Sequence, residues 1–202
     1  PGDPWLRADI EYLADRNIIK APITTWPLMW SGIKKDIDRA LDSDNVSQLS
    51  QREQDTLVRL KKAFRKATRK STSITAKLAS DTEVIRGFAD TGREKAELAY
   101  SRSDMGDSWA YELNAQYVND PYDGDDTRLD GSYLAAIYEN FAISYGYVDK
   151  WWGPGWDSSL ILSSNARPTP GIMLQRNYSN PFETKWLSWI GPWTMNVFAN
   201  VL

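Results

Sequence analysis

The chain of 202 residues carries 24 Lys and Arg against 27 Asp and Glu, and 42% of its residues are hydrophobic. This composition is typical of a folded protein, and the missing basic excess argues against a nucleic-acid partner. The chain contains no Cys and no His, which excludes disulfides, thiolate or imidazole metal sites and His-dependent catalytic triads. We therefore expect a protein that is not an enzyme, with no cofactor and no metal.

The chain is unusually rich in large aromatic residues, with ten Trp and ten Tyr. Such residues concentrate in cores, in sugar-binding clefts and where proteins cross a membrane interface. No run of about 18 apolar residues is present, which argues against a transmembrane helix. Transmembrane strands have a weaker hydropathy signal, so the mean hydropathy of -0.53 is compatible with a barrel. Because the chain starts at Pro1 without Met or an apolar leader, we expect a processed or trimmed product.

Residues 1–70 have helical patterns. Asp3 followed by Pro4 predicts the start of a first helix, and Ser50 with Glu53 predicts a capping box that opens a third. The apolar residues of the three predicted helices recur at helical spacing: Leu6, Ile10, Leu13 and Ala14; Ile33, Ile37, Ala40 and Leu41; and Leu57, Leu60, Phe64 and Ala67. The third helix is also strongly basic, which predicts a solvated face, with contact to anionic lipid or cell-wall polymer as the functional alternative.

After about residue 71 the hydrophobic period changes from 3.6 to 2, which predicts β-strands. Along 109–119, aromatic and aliphatic residues alternate with polar ones. A two-residue turn at Glu139-Asn140 splits 129–150 into a hairpin, in which Tyr138 pairs with Phe141 and Ala136 with Ile143. A second hairpin is predicted around Gly191-Pro192.

These patterns predict seven strands, at 73–89, 94–102, 108–118, 129–138, 141–150, 185–190 and 193–202. The predicted connections alternate between short turns and long loops, which is typical of antiparallel outer-membrane β-barrels. A soluble β-sandwich would bury the same faces without requiring this difference between its ends. Since the last strand stops at Leu202 without a partner, we expect an incomplete barrel that belongs to a longer chain.

The segment 151–168 is the densest cluster of candidate binding residues. It combines flat aromatic faces, which stack on sugar rings, with side chains that hydrogen-bond hydroxyl groups, beside a rigid Gly-Pro-Gly turn. The structural alternative is that the aromatic residues pack the loop or belong to an aromatic belt. The candidate polysaccharide-binding residues are Trp151, Trp152, Trp156, Asp157, Asn165 and Arg167.

Three segments resemble the Wzi capsule-assembly proteins of the bacterial outer membrane: WWGPGWDSSLILSSNARPTPGI, DPWLRADIEYLADRNIIKAPITTWPL and FETKWLSWIGPW. The resemblance implies a periplasmic helical region at 1–70, and the first strands and loops of a transmembrane β-barrel at 71–202. It further implies a lectin-like anchor that holds capsular polysaccharide at the cell surface. The implied partners are that polysaccharide, outer-membrane lipid and the capsule export machinery, with no nucleic acid.

Two other functions remain as alternatives. A porin or transporter would need an open lumen lined by polar residues such as Glu112, Asn114 and Gln116. A carboxylate-dependent glycosidase, or a Ca²⁺ site, would have to use the acidic residues between 120 and 130. That loop lacks the EF-hand spacing and the burial that raises a catalytic carboxyl pKa, so we interpret its acids as solvated.

Overall fold

In the part of the chain that the structure describes, three α-helices accompany a mainly antiparallel β-structure. The structure, a computed structural model, describes residues 2–42, 46–80, 85–89 and 91–201. Helix α1 spans Pro4–Ala14, α2 spans Trp30–Ala40 and α3 spans Gln51–Ala67. Among the described residues, no helix is both long and apolar enough to cross a membrane.

The predicted helix starts are confirmed. The Asp3 side chain accepts a hydrogen bond from the Leu6 N–H at 2.9 Å, and Pro4 follows at the first helical position. Ser50 and Glu53 form the capping box that begins α3. The apolar stripes of the helices meet in one core, where their central residues are almost fully buried: Ile10, Leu13, Ile33, Ile37, Leu57 and Leu60. The basic residues of α3 lie mostly at exposed positions, as expected for a solvated face.

The β-structure consists of one large sheet and one short pair of strands. The pair joins β1 (Thr25–Trp26) to β8 (Trp151–Trp152). The large sheet is antiparallel, with the order β2-β3-β4-β6-β7-β9-β10, and β5 pairs with β4. Its strands are β2 (Ser71–Leu78), β3 (Ala96–Met105), β4 (Trp109–Asn119), β5 (Thr127–Arg128), β6 (Tyr133–Tyr138), β7 (Phe141–Gly146), β9 (Gly171–Arg176) and β10 (Asn196–Asn200). Strands β2 and β10 are its edges, so the described residues do not form a closed barrel.

Local sequence patterns predicted much of this sheet. The strand predicted at 108–118 is β4, and the turn at Glu139-Asn140 joins β6 to β7. Tyr138 pairs with Phe141 and Ala136 with Ile143, in the predicted register.

The end of the sheet differs from the prediction. Residues 185–190 do not form a strand, and Ser188–Ile190 form a 3₁₀ helix. The hairpin at Gly191-Pro192 is therefore wrong, and β10 pairs with β9, with Val197 opposite Leu174. Strand β9 lies within the segment predicted to be one long loop. The predicted strand 73–89 ends at Leu78, although its residues 81–84 lie outside the described ones.

The large sheet has an outer face and an inner face of different chemistry. Leu78 on the outer face is 86% exposed, and most other large apolar side chains of this face are between 41% and 77% exposed, because nothing in the described chain covers them. These residues are Ile74, Leu98, Tyr100, Leu113, Tyr117, Leu134, Tyr138, Ile143, Tyr145, Ile172 and Val197. A soluble monomer rarely exposes so continuous an apolar surface. They are not buried against a second sheet, as they would be in a sandwich.

The two ends of the sheet also differ. Short turns at 106–108 and 139–140 lie at one end, here called the short-turn end. Longer connections at 79–95, 120–132 and 147–170 lie at the other, here called the long-loop end. The segment 177–195, which joins β9 to β10, is a long connection at the short-turn end.

An extended strap, residues 21–30, covers the inner face of β9 and β10. The Gln175 side chain donates to the Pro27 carbonyl at 3.4 Å, and the Asn196 side chain donates to the Thr25 hydroxyl at 3.1 Å. The strap leads directly into α2, so these contacts fix the helical part against the inner face of the sheet.

Candidate functional site

Trp151 and Trp152 form β8, which pairs with β1 inside the molecule. Trp151 is 0% exposed, and its indole N–H donates to the Gly155 carbonyl at 2.9 Å. Trp152 is partly buried and packs edge-to-face on Phe198, with ring centroids 5.4 Å apart. Trp151 is therefore a core side chain whose ring a polymer cannot reach. Trp152 packs the loop against β10.

The Gly-Pro-Gly sequence after β8 forms a tight turn. A Cβ atom on Gly155 would lie 2.2 Å from the Ser158 carbonyl oxygen, and one on Gly153 would lie 2.8 Å from the Leu160 nitrogen. Only glycine allows the backbone to approach itself this closely. The turn holds Trp156 and Asp157 at exposed positions next to α1.

Trp156 lies half-exposed against the helical part of the protein. Its ring is 38% exposed, and the Arg7 guanidinium carbon is 4.5 Å from its centroid and 4.4 Å from that of Phe88. Arg7 also donates to the Pro154 carbonyl at 2.6 Å. Asp157, beside Trp156, is exposed. One face of Trp156 is thus held by α1 through a cation–π contact, and the pair Trp156 and Asp157 is accessible from outside.

Asn165 links two long connections of the long-loop end. Its side-chain oxygen accepts a hydrogen bond from the Arg86 N–H at 2.7 Å. Its carbonyl accepts one from Arg93 at 3.0 Å. Asn165 is itself exposed, so it combines a structural contact with an accessible amide.

Arg167 fixes the loop that follows β4. Its Nε and Nη2 donate to the two oxygens of Asp130 at 3.0 and 3.1 Å, and its Nη1 donates to Asp123 and Asp125 at 2.7 and 3.2 Å. Burial acts to raise the pKa of Asp123, but hydrogen bonds from Arg167, the Asp125 N–H and Arg128 outweigh it and lower that pKa to about 2. The hydrogen bond to Asp130 raises the pKa of Arg167 above its ordinary value. Arg167 is therefore engaged with the acidic loop.

The acidic loop is neutralised by arginine. Arg128 is 4% exposed and donates to Glu94 at 2.8 Å and to Asp123 at 2.7 Å. The described part of the chain holds no group of three or more acidic residues arranged to bind a metal ion. Asp123, Asp125 and Asp130 bond to arginines, so the prediction that the acids of this loop are solvated is wrong for these three.

Beneath these loops lies a polar cavity of about 300 Å³, here called the loop cavity. Glu112, Asn114 and Gln116 line it from the inner face of β4. Arg93 and Asp149, 3.1 Å apart, line it from the loops. Burial lowers the pKa of Arg93 and raises the pKa of Asp149.

Only part of this site was predictable from the sequence. The period-two pattern placed Glu112, Asn114 and Gln116 together on a polar face. It could not identify Arg93 or Asp149, because they lie 56 residues apart in irregular segments without a motif. The local signal is the length of the connections that carry them, since functional residues concentrate in long loops.

The arrangement suits a ligand rich in hydroxyl groups. Guanidinium groups and amides donate hydrogen bonds, carboxylates accept them, and the half-exposed Trp156 offers an apolar edge.

Comparisons with known proteins agree on one family. Residues 65–202 match the family model of the capsule assembly protein Wzi. An uncharacterized 55.8 kDa protein in the cps region of Klebsiella pneumoniae is 31% identical over 201 residues, which are 98% of this chain and 38% of that protein. The solved structure of Wzi from Escherichia coli is described as an outer-membrane protein involved in group 1 capsule assembly and a carbohydrate-binding β-barrel. It superimposes with a TM-score of 0.83 at 30% identity, over 98% of this chain and 44% of that one.

Proposed function

Since the chain belongs to the Wzi capsule assembly protein family, we propose that it forms part of an outer-membrane β-barrel that binds capsular polysaccharide and anchors it at the cell surface. The chain spans less than half the length of the relatives it matches. The observation that carries the proposal is the exposed apolar outer face of the sheet, combined with long loops built around a polar cavity.

The proposed membrane partner is lipid along the outer face. Apolar side chains that are half or more exposed on successive strands are destabilising in water and stabilising against hydrocarbon. The aromatic residues Trp109 and Tyr138 lie at the short-turn end of this face, where a barrel meets the interface.

The proposed orientation places the long-loop end outside the cell and the helices towards the periplasm, with segment 154–156 folding back from the long-loop end to contact Arg7 of α1. In bacterial barrels the long connections are extracellular and the short turns periplasmic. Helix α3 leads into β2 at the short-turn end, which supports a periplasmic start for the strands. The short turns at one end of the sheet and the long loops at the other support this proposal. Segment 177–195 does not fit it, because it is a long connection at the short-turn end.

The proposed polysaccharide contacts are Trp156, Asp157 and Asn165 at the surface, with the loop cavity behind them. Trp152 and Arg167 hold the loop in position through Phe198 and the acidic residues. Trp151 is left out because it is fully buried. Each contact is weak, but a polymer with many repeat units binds several copies of the protein at once. Once one unit is bound, the next units are held at a high effective concentration, so the polymer is retained more strongly than a single contact would allow.

The strap argues against the alternative function of a porin. Its contacts with Gln175 and Asn196, and the packing of Trp152 on Phe198, fill the inner side of β9 and β10. This favours adsorption over conduction in the described part of the protein.

The test is capsule retention by cells that express full-length variants. Trp156→Ala combined with Asp157→Ala removes the accessible pair, and Trp189→Ala is the control, since that ring is 80% exposed at the other end of the sheet. We expect the double variant to release about tenfold more polysaccharide into the medium, which corresponds to a loss of about 1.4 kcal/mol in binding.

Correct insertion is checked by the heat-dependent electrophoretic mobility of the barrel. Release equal to that of wild type and Trp189→Ala, from a correctly inserted double variant, would remove the loop from the binding site.

A further inference from the structure

A second cavity lies at the short-turn end of the sheet, at the opposite end from the long loops. It measures about 220 Å³ and lies between α2, the start of the strap and residues 175–181. We call it the basic cleft. It shares none of its lining with the loop cavity.

The charge of the basic cleft is strongly positive. Four cationic side chains line it, Lys20, Lys35, Arg39 and Arg176, and one carboxylate, that of Asp36. The arrangement brings together residues from α2, from the strap and from β9, so no single segment of sequence carries the signal.

Asp36 does not neutralise the lysines. It is 5% exposed, and its Oδ2 accepts hydrogen bonds from the backbone N–H groups of Lys20 and Ala21 at 2.6 and 3.1 Å. Its Oδ1 accepts one from Arg39 at 2.6 Å. The ion pairs among the described residues leave the ammonium groups of Lys20 and Lys35 without a carboxylate partner, and both lysines are exposed.

Neutral polar groups complete the walls and are held rigidly. Asn177 is 7% exposed and accepts a hydrogen bond from the Ser31 hydroxyl. The Tyr178 N–H donates to the Asn140 side chain at 2.7 Å. The Tyr178 ring lies 5.5 Å from the Lys35 ammonium group, which places an aromatic surface beside a cation. A pocket of this size fits one small polar unit, because sites for larger organic ligands start at about 300 Å³.

We propose that the basic cleft binds one anionic saccharide unit, with Lys20 and Lys35 on its carboxylate and the amide and hydroxyl groups of the walls on its hydroxyls. A cation pair without an acid partner attracts an anion, and rigid amides select a hydroxyl-bearing one. The choice of a saccharide over other small anions rests on the proposed function. The existence of an anion site in the cleft does not depend on that function. The cleft gives the protein a second contact with polymer, at the end opposite the surface loops.

The test titrates full-length protein in detergent with glucuronate and follows binding by saturation-transfer NMR. The variant Lys20→Gln/Lys35→Gln removes both free cations. Lys34→Gln is the matched control, because Lys34 is the neighbour of Lys35 on α2, pairs with Asp38 and does not line the cleft. Glucose at the same concentration reports on the hydroxyl contacts without the charge, and inorganic phosphate reports on an unselective anion site.

We expect glucuronate to bind wild type and Lys34→Gln equally, and the double variant at least fivefold more weakly. Glucose and phosphate should each bind at least fivefold more weakly than glucuronate. Glucuronate binding that the double variant leaves unchanged would overturn the site, and phosphate binding as tight as glucuronate would overturn the saccharide.

The two proposals fail separately. The cleft variants leave Trp156 and Asp157 intact. If they do not weaken glucuronate binding, while capsule retention still depends on Trp156 and Asp157, only the second site is refuted. If the cleft variants weaken glucuronate binding, while capsule retention does not depend on Trp156 and Asp157, only the loop contact is refuted.

Discussion

At the residue scale, Arg7 connects the helical part to the loop at the sheet's other end. It is 1% exposed, bonds to Glu11 and Pro154 at 2.6 Å each, and lies between the rings of Phe88 and Trp156. Its Nη1 atom has no hydrogen-bond partner among the described residues. A buried cation that keeps an orphan nitrogen is costly, so the Glu11 ion pair, the two ring contacts and the Pro154 hydrogen bond must compensate.

We expect Arg7→Met to destabilise the protein by about 2 kcal/mol. The substitution leaves the Pro154 carbonyl without its donor and removes both cation–π contacts, while relieving the orphan nitrogen. The control is Arg59→Met, whose side chain is 57% exposed and pairs with Asp9 at the surface. That pair should contribute less than about 1 kcal/mol.

Urea unfolding of the detergent-solubilised protein, followed by tryptophan fluorescence, measures both changes. Equal losses for the two variants would mean that Arg7 does no more than a surface ion pair.

Residues whose role is local were predictable from sequence, and Arg7 was not. Asp3 and Ser50 act on backbone groups three residues away, so their sequence signature is complete by itself. Arg7 bonds to a carbonyl 147 residues along the chain. Nothing around Arg7 in the sequence separates it from an exposed helical arginine.

At the element scale, the same division separates the strands that were predicted from those that were not. The hairpin of β6 and β7 has its turn, its alternation and its register in one stretch of sequence. Strand β9 pairs with β7 and β10 across long connections. Its six residues alternate in burial but not in polarity, because Met173 and Gln175 both face inward. The aromatic residues around Trp186 and Trp189 resembled a strand, but they lie exposed in an irregular segment.

Gly146, the last residue of β7, lies very close to the backbone of the neighbouring segment. A Cβ atom there would lie 2.2 Å from the Ser132 carbonyl oxygen and 2.6 Å from the Tyr133 Cα, both backbone atoms of the neighbouring segment. We expect Gly146→Ala to destabilise the protein by more than about 1 kcal/mol, because the backbone of β6 or β7 must move.

The control for this variant is Gly32→Ala in α2. A Cβ atom there makes ordinary contacts of 3.6 and 3.7 Å, and alanine favours the helix by about 0.5–1 kcal/mol. The temperature at which the barrel loses its compact electrophoretic form should fall for Gly146→Ala and not for Gly32→Ala. A wild-type temperature for Gly146→Ala would contradict the close packing of these two strands.

At the scale of the whole molecule, the sheet separates two environments. Its outer face is apolar and uncovered, while its inner face carries the strap, the loop cavity and the basic cleft. The sequence predicted both faces from their alternation, since period two is a property of each strand alone. The cavities could not be predicted, because they depend on how the helices and long connections fold back over the inner face.

The central claim is that the outer face contacts lipid, and adjacent residues of β7 test it most directly. Ile143 lies on the outer face and Ser144 on the inner one, so spin labels at Ile143→Cys and Ser144→Cys in the full-length protein, reconstituted in liposomes, report on opposite sides. The described chain contains no Cys that would compete for the label. We predict that oxygen relaxes the label at position 143 strongly and the label at 144 weakly, with a nickel chelate showing no preference for 143. Equal oxygen relaxation at both positions, or stronger nickel relaxation at 143, would contradict a lipid-facing sheet.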